Sequence, residues 1–413
     1  MQLYYFLAVV ISLSFGAVPG ESPDVERSLM FSAAVVAVWW VMCFLSVRMV
    51  TDLIRKGDLN VDTGWDWFER QTVCLRWFSI AIIALCLGGF GWGRCAEDLA
   101  IVKRSITLQS LWLLTPMLAI VTALWAAEYR FARFLGVASS GWTEPLKWMV
   151  RVARSSLAWI TIPILVMLAL VDAISFAPLS DLARGWILAT TMIGLGVFGM
   201  PLLVKRVFPR GEIDPSMEAW MNQILHSAGL SKCKLVMWDT RGRSYNAMMA
   251  GFLGRFQVLF VTDRLVRDLS RAQVAMVVLH EVAHARRKHA LLRVVALAPA
   301  WILGFMMQGG LEYFLPGSDL VAWGPILGNA LSLLATVLIL RQVSYYCEYD
   351  ADAAACQLAP SLSWPGSELP DTVEDAGRTL SSALVRVTEG CEGARNPSWL
   401  HPGISQRIDA VMA

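Results

Sequence analysis

Charged residues are scarce in this sequence. Asp, Glu, Lys and Arg make up 16% of the 413 residues, whereas soluble globular domains carry about a quarter. This deficit argues against an ordinary soluble protein, and a hydrophobic content of 56% with 18 Trp indicates that lipid is part of the solvent. The formal net charge is only +2 and no basic block stands out, so nucleic acid is not an expected partner.

Paired cysteines are also missing. The eight cysteines are scattered along the chain, and none forms a C-x-x-C pair. Disulfide frameworks are typical of short secreted chains. We therefore interpret the cysteines mainly as small buried hydrophobic residues.

Long apolar runs, by contrast, are abundant. A helix needs about 20 predominantly apolar residues to cross a bilayer. Such runs lie at about 3–19, 29–50, 74–93, 107–127, 155–177 and 182–204, and two more lie at about 291–315 and 320–341. The first run has no Lys or Arg before it, which favours a retained helix over a cleaved signal peptide. The sequence predicts a mainly α, multi-pass membrane protein whose N-terminal transmembrane region covers 1–204.

The loops between these runs differ in their basic residues. Lys and Arg are concentrated after the second and fourth runs, as Arg48, Arg55, Lys56, Arg70 and Arg76, and as Arg130, Arg133, Lys147, Arg151 and Arg154. The loop near 19–28 has only Arg27, the loop near 178–181 has none, and the loop at 94–106 is intermediate. Because short cytoplasmic loops carry the excess of basic residues, the segment after residue 204 is predicted to be cytoplasmic.

After the sixth run the composition becomes that of a soluble domain. Apolar residues at helical spacing predict a helix at 215–228, and β-branched and aromatic residues predict strands at Lys234–Trp238 and 256–262. An S-x-x-Q capping box at 270–273 opens a helix that is predicted to run to about His289.

The HEVAH pentapeptide at 280–284 carries the clearest chemical signal. Positions i and i+4 share one helix face, so His280 and His284 can bind one metal ion. Zinc suits two imidazoles and a carboxylate, with a fourth position open for water. Glu281 lies beside the metal, where it can act as general base. The same pentapeptide occurs by chance in polar helices, but the apolar run at 275–279 disfavours solvated histidines, because buried ionisable groups are costly unless paired or metal-bound.

A third ligand is expected on another element, and acidic residues follow the last apolar run. Glu348 and Asp352 are again i and i+4 on a predicted helix. One carboxylate can bind zinc while the other accepts an imidazole N–H and fixes the ring. The alternative is a solvated acidic turn at the end of a membrane helix.

Two further polar residues near these motifs are not assigned to the site. His289 follows His284 by five residues, about 140° around a continuous helix, so it is not expected to be a ligand. Asp350 points away from its acidic neighbours and is expected to face solvent.

These motifs, in their order, resemble the integral-membrane zinc metallopeptidases that include the type 1 CAAX prenyl protease and the bacterial heat-shock protease HtpX. The landmarks over 205–413 are Asn246-Ala247, the VLFVTDRL stretch at 258–265, the HEVAH helix, the E-x-x-A-D element from Glu348 to Asp352, and the terminal His401, Pro402, Arg407 and Ile408. The resemblance implies a small α+β, gluzincin-like zinc peptidase domain over 205–413, interrupted by the two membrane helices. It also implies one Zn²⁺ per chain, with Glu348 as the third ligand and Asp352 behind it.

The resemblance implies roles for the remaining landmarks. Asn246 and Ala247 would lie on an edge strand that holds the substrate backbone. His401 or Arg407 could stabilise the oxyanion of the tetrahedral intermediate. In this chain Asn246 is followed by Ala-Met-Met, whereas the family has an aromatic residue after the alanine. This chain therefore departs from the family in the part that would form the substrate cleft.

The sequence thus predicts a membrane-embedded zinc endopeptidase. Two crossings separate the first two ligands from the third, so the site should lie near the membrane surface and act on membrane-associated polypeptides, whether prenylated peptides or damaged membrane proteins. Two other functions stay open: a signal-transducing membrane metallopeptidase of the β-lactam sensor type, and a non-catalytic membrane scaffold. Proteins of the sensor type carry an extracellular sensor domain, and no segment after Glu348 is large enough to form one. A non-catalytic scaffold would not explain why every residue that the chemistry needs is present.

Overall fold

A computed structural model of the chain describes residues 2–15, 18–20, 23–199, 206, 208–240, 242, 244–251, 253–389 and 395–412. The chain divides into two compact units. One comprises Met1–Thr191 with Leu315–Ile326, and the other comprises Met192–Phe314 with Leu327–Ala413.

The first unit is a helical bundle. Its helices are α1 (Gln2–Ser14), α2 (Val25–Lys56), α3 (Val61–Ala84), α4 (Ile106–Phe134), α5 (Glu144–Ser156), α6 (Ala158–Ser175) and α7 (Asp181–Gly194). Helix α4 is its centre and packs against α1, α2 and α3. The Trp39 indole on α2 donates a hydrogen bond of 3.1 Å to the Ile120 carbonyl of α4, which satisfies a polar group inside this apolar core.

Seven helical segments in the described part of the chain are long and apolar enough to cross a membrane. They are Val25–Lys56, Val61–Gly89, Ile106–Phe134, Ala158–Ser175, Asp181–Gly199, His289–Phe314 and Gly324–Leu362. The chain is therefore an integral, multi-pass membrane protein, as predicted. The first apolar run forms a helix of only 13 residues, which is shorter than the roughly 20 residues that a crossing requires.

The second unit combines helices with a small sheet. Its helices are α8 (Pro215–Ser227), α9 (Asp263–Asp268), α10 (Arg271–Arg286), α11 (His289–Val295), α12 (Ala298–Phe314), α13 (Gly324–Leu362), α14 (Val373–Val387) and α15 (Ile404–Met412), and its strands are β1 (Lys234–Trp238), β2 (Ala247–Ala250) and β3 (Val258–Thr262). The strand order is β1-β3-β2, with β1 parallel and β2 antiparallel to β3. Every residue of β3 is buried, so this strand forms the centre of the sheet and β2 forms an edge.

Helix α10 is the core of this unit. It begins at the predicted capping box, because Ser270 Oγ accepts from the Gln273 N–H at 3.3 Å and Gln273 Oε1 accepts from the Ser270 N–H at 3.0 Å. It packs against β2, α8 and α14. Side chains around its circumference are buried, including Val274, Met276 and Leu279. A helix buried on most sides holds its polar residues in fixed positions.

Several element boundaries differ from the sequence predictions. Helix α10 ends at Arg286 rather than near His289, and Lys288 adopts a left-handed conformation with φ of 57° before α11 begins. The last membrane segment continues to Leu362 instead of ending near 341, so the acidic motif lies on the same helix. The sequence also has turn-like residues at 241–246, between β1 and β2, and residues 241 and 243 of that segment lie outside the described residues.

Candidate metal centre

Two imidazole rings face each other on helix α10. Nε2 of His280 lies 3.1 Å from Nε2 of His284, as expected for side chains one turn apart on one helix face. His280 is buried and His284 is mostly buried. Burial lowers the pKa of His284 to about 4, which favours the neutral ring that a metal requires.

Helix α13 brings a carboxylate to these rings. Glu348 is 2% exposed, with Oε2 at 3.6 Å from His280 Nε2 and Oε1 at 3.4 Å from His284 Nε2. The approach is close because Ala351 and Ala354 on α13 pack against Ala283 on α10. Small side chains at a helix crossing allow the two backbones to approach each other closely.

The donor atoms of this cluster fit one tetrahedral metal ion. The two Nε2 atoms lie 3.1 Å apart, and the distances of 3.4 and 3.6 Å to His284 and His280 belong to Oε1 and Oε2 of Glu348 respectively. Ligand atoms bound at about 2.0–2.1 Å in a tetrahedral site lie about 3.3–3.4 Å apart. The donor set is two imidazoles and one carboxylate, and no other group of at least three His, Cys, Asp or Glu residues in the described ranges has this potential. His280, His284 and Glu348 could therefore hold a metal ion and leave a fourth position open.

A buried ion pair stands behind His280. Asp352 Oδ1 lies 2.8 Å from His280 Nδ1, and Arg407 of α15 donates to both oxygens of Asp352 at 2.7 and 2.6 Å. Burial opposes a charge on His280, but the Asp352 and Glu348 carboxylates outweigh it, and these protein groups raise the pKa of His280 to about 10. The carboxylate predicted to lie behind His280 is thus in contact with this candidate ligand.

Glu281 contacts the edge strand of the sheet. Its Oε2 accepts a hydrogen bond of 2.8 Å from the backbone N–H of Met249 on β2. Burial raises the pKa of Glu281, while the nearby His280 and the Met249 N–H oppose this change. The carboxylate is held beside the histidine pair with a raised pKa, a combination that suits a general base.

His401 lies on the open side of the cluster. Its Nδ1 is 3.1 Å from Glu348 Oε2, and its side chain is 57% exposed. The loop that holds it is anchored by the Tyr345 hydroxyl, which donates to the Ser398 carbonyl at 2.7 Å. Arg407, by contrast, is 8% exposed and bound to Asp352. Of the two predicted oxyanion donors, only His401 presents a polar group towards solvent.

The two residues predicted to hold substrate sit differently on β2. Asn246 is tied to β3, because its carbonyl accepts from the Thr262 N–H at 3.0 Å and its own N–H donates to Thr262 Oγ1 at 3.0 Å. Ala247 is paired in register with Val261. In an antiparallel ladder hydrogen-bonded and non-hydrogen-bonded pairs alternate, so the N–H and C=O groups of Ala247 and Met249 point away from β3.

Sequence reasoning missed two polar contacts of the cluster. His289 Nδ1 lies 2.8 Å from His284 Nδ1, and its Nε2 lies 3.0 Å from Asp350 Oδ2. His289 contacts His284 although a continuous helix would place it about 140° away, because the chain breaks at Lys288. Asp350 is the most exposed of the three acids, as predicted, and it also contacts His289. The sequence signal for this break was the basic run Arg286, Arg287 and Lys288 at the end of α10.

The part of the chain that carries this site is similar to known proteins. Residues 213–413 match the model of peptidase family M48. A protease HtpX homologue from Acidiphilium cryptum (strain JF-5) is 27% identical over 223 residues, which cover 52% of this chain and 68% of that protein. The family match includes His280, His284 and Glu348.

Over 95% of its length the chain is similar in fold to a solved structure. The crystal structure of S. mikatae Ste24p superimposes with a TM-score of 0.50 at 18% identity, covering 95% of this chain and 100% of that one. At this identity the likeness concerns the fold alone. It extends to the helical N-terminal half, where the sequence has no recognisable motif.

Proposed function

This chain belongs to peptidase family M48 and is a membrane metalloprotease, and from that premise we propose that it is a zinc-dependent endopeptidase acting on membrane-associated polypeptides. The observation that carries the proposal is the group of His280, His284 and Glu348, in which the two Nε2 atoms lie 3.1 Å apart and each lies within 3.6 Å of a Glu348 oxygen. Zinc is the metal that best suits two imidazoles, one carboxylate and an open fourth position.

When bound, the metal ion supplies Lewis-acid chemistry, polarising the scissile carbonyl and lowering the pKa of a water molecule. Glu281 takes the proton of the attacking water and then delivers it to the leaving amine. The hydrogen bond from the Met249 N–H orients the Glu281 carboxylate for both transfers. His280 and His284 are neutral donors in this scheme.

The substrate backbone would pair with the outer edge of β2. The N–H and C=O groups of Ala247 and the C=O of Met249 point away from β3. An extended peptide can add to such an edge as a further strand. Asn246 uses its backbone groups on Thr262, so only its side chain is left for a contact with the substrate.

His401 would stabilise the developing oxyanion. It is an exposed polar group beside Glu348, with Nδ1 at 3.1 Å from Oε2, and donors aimed at the oxyanion are worth about 10²–10³ in kcat. Arg407 would position Asp352, and through it His280, because its guanidinium is buried and bound to that carboxylate.

The site would lie near the membrane surface on the cytoplasmic side. Glu348 follows the start of α13 by about 36 Å of helix at 1.5 Å per residue, and the hydrocarbon core of a bilayer is about 30 Å thick. The basic loops after the second and fourth apolar runs support the cytoplasmic orientation. A site at this depth favours substrates that are themselves at the membrane.

Zinc content and proteolysis, measured together, test the proposal. Purified wild type and Glu281→Gln would be analysed for bound metal and for cleavage of casein and of a membrane-protein substrate in detergent. We expect one zinc per chain in both proteins and cleavage by wild type alone. A folded wild type that takes up no zinc would refute the metal site, and an active Glu281→Gln variant would refute the assignment of the base.

A further inference from the structure

A chain of three polar side chains leads outward from His284. Nδ1 of His284 lies 2.8 Å from Nδ1 of His289, and Nε2 of His289 lies 3.0 Å from Oδ2 of Asp350. His289 is buried, at 2% exposed, and the Asp350 side chain is 23% exposed. A buried imidazole with both ring nitrogens in contact has a fixed orientation.

The contacts also determine where each proton lies. An ionised carboxylate only accepts hydrogen bonds, so the proton of a neutral His289 lies on Nε2 and points to Asp350. Its Nδ1 then carries a lone pair and accepts from Nδ1–H of His284. The proton of His284 is thereby kept on Nδ1, and its Nε2, which faces His280 at 3.1 Å, is left with a free lone pair.

We infer that Asp350 and His289 form a relay that fixes the tautomer and orientation of His284 for metal binding. This inference rests on the proposed metal-binding role of the site. His289 and Asp350 are positioning residues, because they act on the metal through His284. The Arg287 guanidinium, 3.6 Å from Asp350 Oδ2, is a further positive group on the outer side of the relay.

The break between α10 and α11 makes the relay possible. On a continuous helix His289 would lie about 140° from His284. The left-handed conformation of Lys288, with φ of 57°, ends α10 and redirects the chain so that the His289 ring returns to His284.

The relay gives the two ligand histidines matching support from one turn of α13. Asp352 reaches His280 directly, with 2.8 Å between Oδ1 and Nδ1. Asp350 lies two residues earlier, about 160° around the helix from Asp352. It therefore cannot contact the His284 ring directly in the way that Asp352 contacts His280. The imidazole of His289 spans this gap. All three acids of the motif, Glu348 included, therefore serve the metal centre.

Metal affinity measured on the full-length protein tests the relay. Zinc dissociation constants would be obtained in detergent by competition with a chromophoric chelator, for wild type, His289→Ala, His289→Asn and Asp350→Ala. Carboxylate and imidazole partners of metal ligands typically contribute about 10–100-fold in affinity. We expect a loss of that size in His289→Ala and a smaller loss in Asp350→Ala. His289→Asn should recover much of the affinity, because its amide oxygen can accept in place of Nδ1.

Two comparisons separate the relay from a general effect on folding. The double variant His289→Ala with Asp350→Ala should bind zinc no more weakly than His289→Ala, because Asp350 acts only through His289. His226→Ala removes an exposed histidine of α8 and should leave the affinity unchanged. Thermal unfolding of each protein after chelation reports the fold without the metal, and Asp350→Ala serves if His289→Ala does not fold.

The outcomes discriminate between the inference and the proposed function. Unchanged zinc affinity in a folded His289→Ala, or losses that multiply in the double variant, would overturn the relay. No zinc binding by wild type would instead overturn the proposed function itself. Weaker binding in both single variants, with recovery in His289→Asn, would support both.

Discussion

The backbone N–H of Met249 donates a hydrogen bond of 2.8 Å to Oε2 of Glu281. This contact joins the edge strand of the sheet to the helix that carries the metal-ligand candidates. A backbone donor cannot be removed by truncating a side chain, so the register of β2 on β3 determines the position of the base.

Replacing Met249 with proline removes this donor. The N–H faces away from β3, and proline is tolerated at such edge positions. Burial already raises the pKa of Glu281, and the Met249 N–H lowers it, so loss of the donor raises the pKa further. A hydrogen bond to a charged group is worth about 1.5–3 kcal/mol, so its loss should raise the pKa of Glu281 measurably.

The sign of the effect on activity follows from the role of the base. Glu281 works when ionised, so a higher pKa moves the acid limb of kcat/KM to higher pH in Met249→Pro. The control is Met249→Ala, which loses the side chain but keeps the N–H and should retain the wild-type limb. Identical limbs in all three proteins would argue against this contact with the base.

Ala351 governs the spacing of α10 and α13. It is fully buried against Ala283, and overpacking a core position costs about 1–3 kcal/mol. We expect Ala351→Leu to push Glu348 away from the histidines and to weaken zinc binding by at least tenfold. Ala353→Leu, at an exposed position of the same helix, is the control and should bind zinc as wild type does. Equal affinities in the two variants, measured by chelator competition, would contradict the packing argument.

Metal affinity should depend on pH through His280. Its pKa is raised to about 10 against the effect of burial, mainly by Asp352, so the ring holds an extra proton at neutral pH that a metal must displace. Displacement of one proton weakens binding about tenfold for each unit by which the pH falls below the raised pKa. Zinc titrations at pH 6, 7 and 8 would measure this slope. Asp352→Asn lowers the pKa of His280 and should give a shallower slope, whereas equal slopes would exclude this coupling.

Loss of His401 should lower kcat and leave the zinc content unchanged, whereas loss of a metal ligand should lower the zinc content. His401→Ala removes the exposed group beside Glu348, and loss of one oxyanion donor lowers kcat by about 10²–10³. We expect KM and zinc stoichiometry to stay near the wild-type values. Elemental analysis of the kinetic samples is the check, since loss of zinc in parallel with kcat would mean that His401 supports Glu348 instead.

Much of the site was predictable because it depends on local geometry. The i, i+4 spacing of His280 and His284 and the Ser270 capping box are properties of one helix, and both appear in the structure. Strand β1 has the predicted bounds. The structure also brings Glu348 and Asp352 to the histidines, although their roles as ligand and supporting carboxylate stay predictions.

Other features could not be read from the sequence. Helix α14 begins at Val373, where the Thr372 side chain accepts from the Asp375 N–H and caps the helix. The buried position of Ser367, whose carbonyl accepts from the Trp220 indole at 3.0 Å, likewise depends on a contact 147 residues away.

The sequence by itself determined the membrane class, the helical face shared by His280 and His284, and the acidic motif that follows a membrane segment. These are periodic or compositional properties, so they can be predicted without knowing which residues are in contact in the fold. Only the tertiary structure decided that Met249 contacts Glu281, that Arg407 is bound to Asp352, and that His289 turns back to His284. Each of these contacts joins separate elements or crosses a break in a helix. Their positions depend on packing between distant parts of the chain, which spacing along the sequence does not encode.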